Sequence, residues 1–312
     1  MPARELVVLG SASQVPTRTR NHNGYFLRWD NAGVLFDPGE GTQRQMLFAG
    51  VPSSALTRIC ITHLHGDHCL GLPGVLQRMS LERVGRPVKV SFPASGEVYV
   101  ERLRRASIFT DHLDLRMQPV TPPPPTGTLV TVDDTGTWTL RAARLQHSVD
   151  TIGWRIEEHP GRTMLPERLA DAGVAGPDVG RLQREGAITI GGRRVTLEDT
   201  SVTRRGQVVA FVMDTSWCDG ALALADSADL LVCEATFASS ESHLATAYGH
   251  LTAAQAGRIA AHAGARRLLL THFSQRYPDV SQLAEEAAAT FSGEVVVAAD
   301  LECVPVPQRR PP

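Results

Sequence analysis

The apolar positions of this chain fall into short runs, most of which end on a polar or charged residue. Residues 5–9 read as a strand. Residues 25–29 and 34–36 read as a hairpin reversing at Asp30-Asn31-Ala32-Gly33, a cluster that favours a turn over extended structure. Asp37-Pro38-Gly39-Glu40-Gly41 breaks the pattern before a helical one at 42–49. A strand at 58–61 runs straight into a polar cluster, and a helix is expected across 69–82. Residues 129–132 and 138–145 read as paired strands, the second leading to His147, and 153–156 as another strand carrying Trp154. In the second half strand and helix alternate. The strand at 208–213 ends at Asp214, and the one at 230–233 ends at Glu234. A helix spans 251–263 with Thr252 as its cap. The strand at 268–270 ends at Thr271-His272, a helix follows at 280–291, and a last strand at 295–297 ends near Asp300. This rhythm is that of an α/β fold. Polar groups at the strand ends, His63, His147, Asp214 and His272, mark one rim of a sheet, where such folds place their chemistry.

Two stretches depart from the rhythm. Pro122-Pro123-Pro124-Pro125 is a stiff surface connector rather than a domain linker, because strand patterns resume at once. Residues 158–206 are punctuated by Gly161, Gly173, Gly176, Gly180, Gly186, Gly191 and Gly192 and show little sustained periodicity. They read as a flexible arm inserted into a single domain spanning 1–312.

Composition narrows the function classes. A chain of 312 residues with 42% hydrophobic and 21% charged positions can bury a large core. The net charge of -2 gives no overall attraction to nucleic acid or membrane, so any polyanion site must be a local patch. All of the 31 basic residues except Lys89 are arginine, and the most basic window is 78–105. The five cysteines are odd in number and form no CxxC pair, which argues against a disulfide framework and for a reducing compartment. No apolar run approaches the ~18 residues that span a bilayer, and no leader pattern precedes the first strand. A cytoplasmic location with no membrane association is expected.

The chemistry concentrates in His63-Leu64-His65-Gly66-Asp67-His68, four metal-capable side chains within six residues. In an extended segment His63 and His65 share a face, and Asp67 and His68 fall at the turn into a helix. Imidazole with carboxylate suits Zn²⁺ or a similar divalent ion. Adding His147, Asp214 and His272 gives seven ligands, too many for one tetrahedral ion and fitting for two. His63, His65 and His147 would serve one ion, Asp67, His68 and His272 the other, with Asp214 bridging. His22, His112, His159, His243 and His262 lack ligand spacing and read as surface or packing residues.

An HxHxDH stretch followed by His, Asp and His resembles the metallo-β-lactamase superfamily, and within it the tRNase Z family. The resemblance covers nearly the whole chain. His63-Leu64-His65-Gly66-Asp67-His68-Cys69-Leu70-Gly71-Leu72-Pro73-Gly74 is similar to that family's metal motif. Thr271-His272-Phe273-Ser274-Gln275-Arg276-Tyr277 is similar to its last ligand segment, and Tyr248-Gly249-His250-Leu251-Thr252 to its histidine-containing helix start. Gly176-Pro177 with Gly180-Arg181-Leu182 resembles its tRNA-binding arm, and residues 16–21, with Arg18, Arg20 and Asn21, its substrate loop. Departures are Arg18 in place of the usual Lys, Ser216-Trp217 where Arg-Pro is frequent, and Cys233 where His is common before Glu234.

The resemblance implies a four-layer αββα fold and a zinc-dependent endoribonuclease that removes the 3′ trailer of precursor tRNA, leaving a 3′-OH and a 5′-phosphate. Two Zn²⁺ per subunit are implied, with Mn²⁺ or Mg²⁺ as substitutes, and a homodimer. Asp67 is then the general base as well as a ligand, and His250 the proton donor to the leaving group. On the residues alone His250 reads equally as orienting the helix start, and Glu234, at a strand end, as a partner either of His250 or of a ligand histidine. Arg18, Arg20, Asn21, Arg181 and Arg276 are the expected substrate contacts. Two alternatives remain at this level. One is a small-molecule phosphodiesterase or other hydrolase on the same fold. The other is a non-catalytic RNA-binding subunit, which intact ligands at all seven positions disfavour.

Overall fold

The structure, a computed structural model, describes residues 4–310. Strands β1 (Glu5–Gly10), β2 (Gly24–Trp29), β3 (Ala32–Phe36), β4 (Arg58–Cys60), β5 (Val88–Pro93) and β6 (Leu115–Val120) lie in that order in a first sheet. A late strand, β18 (Cys303–Pro305), closes its edge beside β1. The second sheet runs β7 (Val130–Asp134), β8 (Trp138–Leu145), β9 (Thr151–Glu158), β14 (Val208–Val212), β15 (Leu230–Glu234), β16 (Arg267–Thr271), β17 (Glu294–Val297). Both sheets are half antiparallel and half parallel, the change falling at β3 in the first and at β14 in the second.

The central strands lack polar alternation because both faces of each sheet are covered there, whereas the edge strands β6 and β7 alternate. On β1, Leu6 and Val8 face the second sheet, while Val7 and Leu9 face helices. Between the sheets Phe36 stacks on Phe211 with ring centroids 4.6 Å apart, and Tyr25 meets the same ring edge-on at 5.1 Å. Helices α1 (Thr42–Phe48), α3 (Leu72–Leu81) and α4 (Glu97–Arg104) cover the first sheet through Met46, Val75, Leu76, Met79 and Val100. Helices α8 (Asp219–Ala225), α10 (Ala253–His262) and α11 (Ser281–Ala288) cover the second through Leu224, Ile259 and Leu283. The layers are therefore αββα. Thr252 caps α10 in a reciprocal pair with Gln255, as its position before the apolar run suggested.

The helix expected at 69–82 is divided. A single turn, α2 (Gly66–Cys69), precedes α3, and Pro73 in the first turn of α3 lacks the N–H that would have joined them. Gly71 sits at the break, where a Cβ would lie 1.9 Å from the Gly39 carbonyl oxygen. The basic window at 78–105 contains β5 and α4, and much of its charge is paired within the fold: Arg78 with Glu82, Lys89 with Asp133, Arg104 with Asp111, Arg105 with Glu101.

Between β9 and β14 the chain leaves the sheets. Strands β10 (Gly161–Met164) and β13 (Ser201–Arg204) pair antiparallel as a stalk, Gly161 opposite Arg204. Beyond it lie α5 (Pro166–Asp171), α6 (Pro177–Glu185), the hairpin β11 (Ala187–Ile190)/β12 (Arg193–Thr196) and a last turn, α7 (Leu197–Thr200). The hairpin reverses at Gly191-Gly192, both at positive φ (55° and 82°), the geometry for which two glycines are selected. Val174, Leu182, Ile188 and Val195 form a small core of the module's own. The segment that reads as patternless is thus regular, built from elements too short to register as periodic. A further helix, α9 (Ser242–Tyr248), lies between β15 and α10. Among the described residues, no helix is long and apolar enough to cross a membrane.

Candidate metal centre

All seven expected ligands meet where strands end. His63 and His65 follow β4, Asp67 and His68 sit on α2, and His147 follows β8. Asp214 follows β14 and His272 follows β16. His63, His65, His147 and Asp214 each bring one ligand atom to within 4.8 Å of the others, and so do Asp67, His68, Asp214 and His272. Asp214 belongs to both sets. Its Oδ2 lies 3.7 Å from His63 Nε2 and 3.8 Å from His147 Nε2, and its Oδ1 lies 3.3 Å from His68 Nε2 and 3.1 Å from His272 Nε2.

Hydrogen bonds behind the ligands fix which nitrogen each imidazole presents. His68 Nδ1 donates to Asp37 Oδ2 at 2.9 Å. The Thr62 hydroxyl donates to the same oxygen and accepts from His63 Nδ1 at 3.0 Å. His147 Nδ1 donates to the Gly249 carbonyl at 3.0 Å. The Thr236 hydroxyl donates to Glu234 and accepts from His272 Nδ1 at 2.8 Å. Four imidazoles therefore turn Nε2 inward, and it is bare in His63, His147 and His272. His65 turns in Nδ1 instead, 3.0 Å from His63 Nε2 and 3.3 Å from His147 Nε2.

Lone pairs aimed at each other call for a cation. Asp214 Oδ1 and His272 Nε2 are buried without any hydrogen-bond partner, an arrangement that costs free energy unless something positive sits beside them. Burial alone would raise the Asp67 and Asp214 carboxyls, yet neighbouring imidazoles outweigh it and hold both well below the ordinary range. Burial alone would lower His68, yet Asp214, Asp67 and Asp37 outweigh it and pull a proton onto the ring. Burial lowers His63 and His65. Divalent ions would supply the charge that the His68 proton provides here, and the oxygen and nitrogen donor set suits them. The residues present fit such ions.

The backbone is bent to make this convergence. Asp37, Asp214 and His272 all have positive φ (43°, 44° and 62°), a region that non-glycine residues rarely enter.

A cleft of about 660 Å³ opens over the ligands. His65, Asp67, His147, Asp214 and His272 line its floor, and His250, Tyr248, Gln14, Val15 and Arg276 line its walls. His250 Nδ1 lies 3.1 and 3.2 Å from the two Glu234 oxygens. Burial would lower His250, but Glu234 and Asp214 outweigh it and push its pKa up to about 9.

A profile of the metallo-beta-lactamase superfamily matches residues 17–162. The chain is 56% identical over 312 residues to ribonuclease Z of Salinispora arenicola, covering 100% of this chain and 99% of that protein. It is 54% identical to ribonuclease Z of Nocardia farcinica over 99% of this chain and 100% of that one. The chain belongs to the ribonuclease Z family. The crystal structure of the short form of human tRNase Z is similar in shape too, with a TM-score of 0.72 and 25% identity over 97% of this chain and 100% of that one.

For this ribonuclease Z family chain the remaining expected site residues divide. Arg276 reaches the cleft wall and lies 3.7 Å from Glu241. Arg18 is exposed on its loop. Arg20 and Asn21 are engaged within the protein. The Arg20 guanidinium donates to the Tyr277 carbonyl, and Asn21 donates from its backbone to Asp300 at 2.7 Å and from its side chain to the Glu40 carbonyl at 2.8 Å. The Arg20 contact ties the 16–21 loop to the segment after His272, and the Asn21 contacts tie it to Asp300 and to the turn after β3. Arg181 lies on α6 in the arm, paired with Asp178 and Glu185. Asp37, Thr62 and Thr236 escaped the sequence reading. Asp37 stands just past a strand end, as Asp214 does, but its Asp-Pro-Gly context reads as a turn.

Proposed function

We propose that this protein is a divalent-metal-dependent endoribonuclease that removes 3′ trailers from tRNA precursors. The observation that carries the proposal is the pair of four-ligand clusters sharing Asp214 beneath the open cleft, in a chain that matches ribonuclease Z relatives along its whole length. The imidazole-rich donor set favours zinc, one ion in each cluster, with Mn²⁺ or Mg²⁺ as alternatives. When bound, such ions acidify a water to a nucleophile at neutral pH and offset charge developing on the phosphoryl oxygens.

The chain's own residues do the rest. Asp67, ionised at the cleft floor, orients the attacking water and takes its proton. His250 carries a proton at neutral pH because Glu234 holds its Nδ1 side. Its Nε2 hydrogen is then available to the departing 3′-oxygen. Protonation of that oxygen leaves a 3′-OH on the tRNA and a 5′-phosphate on the trailer. Glu234 also accepts from Thr215, Thr236 and Leu251, so its carboxylate is fixed before substrate arrives. Arg276, on the cleft wall, and Arg18, exposed on the loop that follows Gln14 and Val15, contact substrate phosphates.

The arm, with Arg181 on its surface, grasps the tRNA body. Exposed Leu47 and Phe48 on α1, beside α3, offer an apolar face for a homodimer. A cytoplasmic location fits the free cysteines. The test is incubation with a 3′-extended precursor tRNA, mapping both new ends, beside Asp67→Ala. Wild type should cut once at the trailer and D67A should be inactive. Hydrolysis of a small phosphodiester with the precursor left intact would support a small-molecule hydrolase instead.

A further inference from the structure

Both ends of the arm pass one carboxylate. Glu158 is the last residue of β9, separated by two residues from the outgoing stalk strand, and the returning strand ends at Arg204. The Glu158 oxygens accept from Arg309 Nε at 2.9 Å and Nη2 at 2.6 Å, and from Arg4 Nη1 at 2.9 Å. They also accept from the backbone N–H of Gln207, just past the returning strand, at 3.0 Å, and Arg204 Nη2 lies 3.9 Å away. Arg4 and Gln207 bind each other at 2.9 Å, and the Gln207 amide donates to the Pro307 carbonyl at 2.5 Å. The outgoing strand, the returning strand, the first described residue and the C-terminal tail thus meet at a single side chain that is only 12% exposed.

The stalk needs such a fixture. Two paired strands of four residues each are marginal on their own. The links to the body are short: His159-Pro160 on one side and Arg205-Gly206 on the other. Gly206 runs so close to the Glu158 backbone that a Cβ there would lie 1.9 Å from its carbonyl oxygen. Charge-assisted, partly bidentate bonds shielded from water hold geometry better than neutral ones.

We propose that Glu158 is the positioning residue that sets the arm's orientation toward the metal cleft, with the tail around Arg309 as the strap that holds it. This rests on the reading that the arm grasps tRNA. Glu158 touches neither substrate nor metal ligand; it acts through the stalk.

The test uses the full chain with Glu158→Gln, Arg309→Gln and the double variant. In E158Q, amide hydrogen exchange in the stalk (residues 162–164 and 201–204) should quicken about tenfold, while the arm's core around Leu182 and the central strands keep their protection. KM for precursor tRNA should rise about tenfold with kcat nearly unchanged. Metal content and hydrolysis of bis(p-nitrophenyl) phosphate should match wild type. R309Q should show a smaller effect of the same kind, and the double variant should be no worse than E158Q. Unchanged stalk exchange overturns the proposal, as does a loss of protection spread evenly over the chain. A loosened stalk with unchanged KM overturns it too. An arm-deleted chain that cleaves precursor tRNA as fast as wild type would show that the reading of the arm as the tRNA grip is what failed.

Discussion

The metal rim and the arm are held by different physics. At the rim, four imidazoles are each anchored through the outward nitrogen to a group from the body, and Asp214 lies between both ligand sets. No side chain there can shift alone. The arm buries a handful of apolar side chains and reaches the body through two short strands. A module of roughly forty residues is near the lower limit for holding itself together. The difference reflects tolerance: ligand geometry must be right to within ~0.5 Å, whereas the arm, in the role proposed for it, needs only a set direction, which the bonds to Glu158 supply at its base.

The largest effect is expected at Asp214. Asp214→Ala should lower cleavage of both precursor tRNA and a small phosphodiester by about a thousandfold or more, since several kcal/mol of charge stabilisation depend on it. Bound metal measured by mass spectrometry should fall as well. Excising the arm at its first stalk pair, Gly161 to Arg204, should act on one substrate only. Precursor cleavage should drop about a hundredfold, as when remote contacts worth ~3 kcal/mol are removed, with small-phosphodiester hydrolysis within ~3-fold of wild type. Equal loss of both would mean that the arm and the rim are not separable.

Smaller changes separate the two regions further. Asp37→Asn weakens the anchor of His68 and should cost about 10–100-fold in metal affinity, read by competition with a chelator, while leaving arm protection intact. Leu182→Ala should remove about 2–5 kcal/mol from the arm's core alone. Exchange protection should vanish there while the Tm of the body stays put, whereas Phe211→Ala, between the sheets, should lower Tm directly. The smallest effect is in acid. Burial would raise the Glu158 carboxyl, but Arg309, Gln207 and Arg4 outweigh it and bring its pKa from 4.5 down to about 2. The unfolded chain therefore binds that proton more tightly, so the stabilisation is complete above about pH 4.5 and fades as pH falls toward 2. Stalk exchange in wild type should quicken across that window, and E158Q should lack the transition.

Much of this was legible from residues alone, for identifiable reasons. Long apolar runs bounded by Asp, Glu or His place β14, β15 and β16 and their ends, because a buried strand must be apolar on both faces and must stop where chemistry starts. The cluster at 63–68 declares itself because four ligands in six residues have no cheaper explanation. Asp37 and Thr62 did not, because an outer partner of a ligand carries no spacing rule and is recognised only once the imidazole is in place. Arg20 and Asn21 look like substrate contacts in sequence, but their partners, Tyr277 and Asp300, lie more than 250 positions away. The cations at 78–105 look like a patch until the fold brings up Asp111 and Asp133. The arm hid its order in elements of four to nine residues, shorter than the window in which periodicity is measured.

One feature of the rim bears on how this chain can change. Asp37, Asp214 and His272 each hold a backbone shape that costs of order 1–3 kcal/mol for a residue with a side chain. Glycine adopts that shape freely and would relieve the strain at all three, although at Asp37 it would also leave Thr62 and His68 without their acceptor. Each such gain would delete a ligand or the anchor of one. Selection for robustness and selection for turnover thus pull in opposite directions at three known positions, and a library that fixes those three in advance would explore the rest of the chain without drifting into stable, inert descendants.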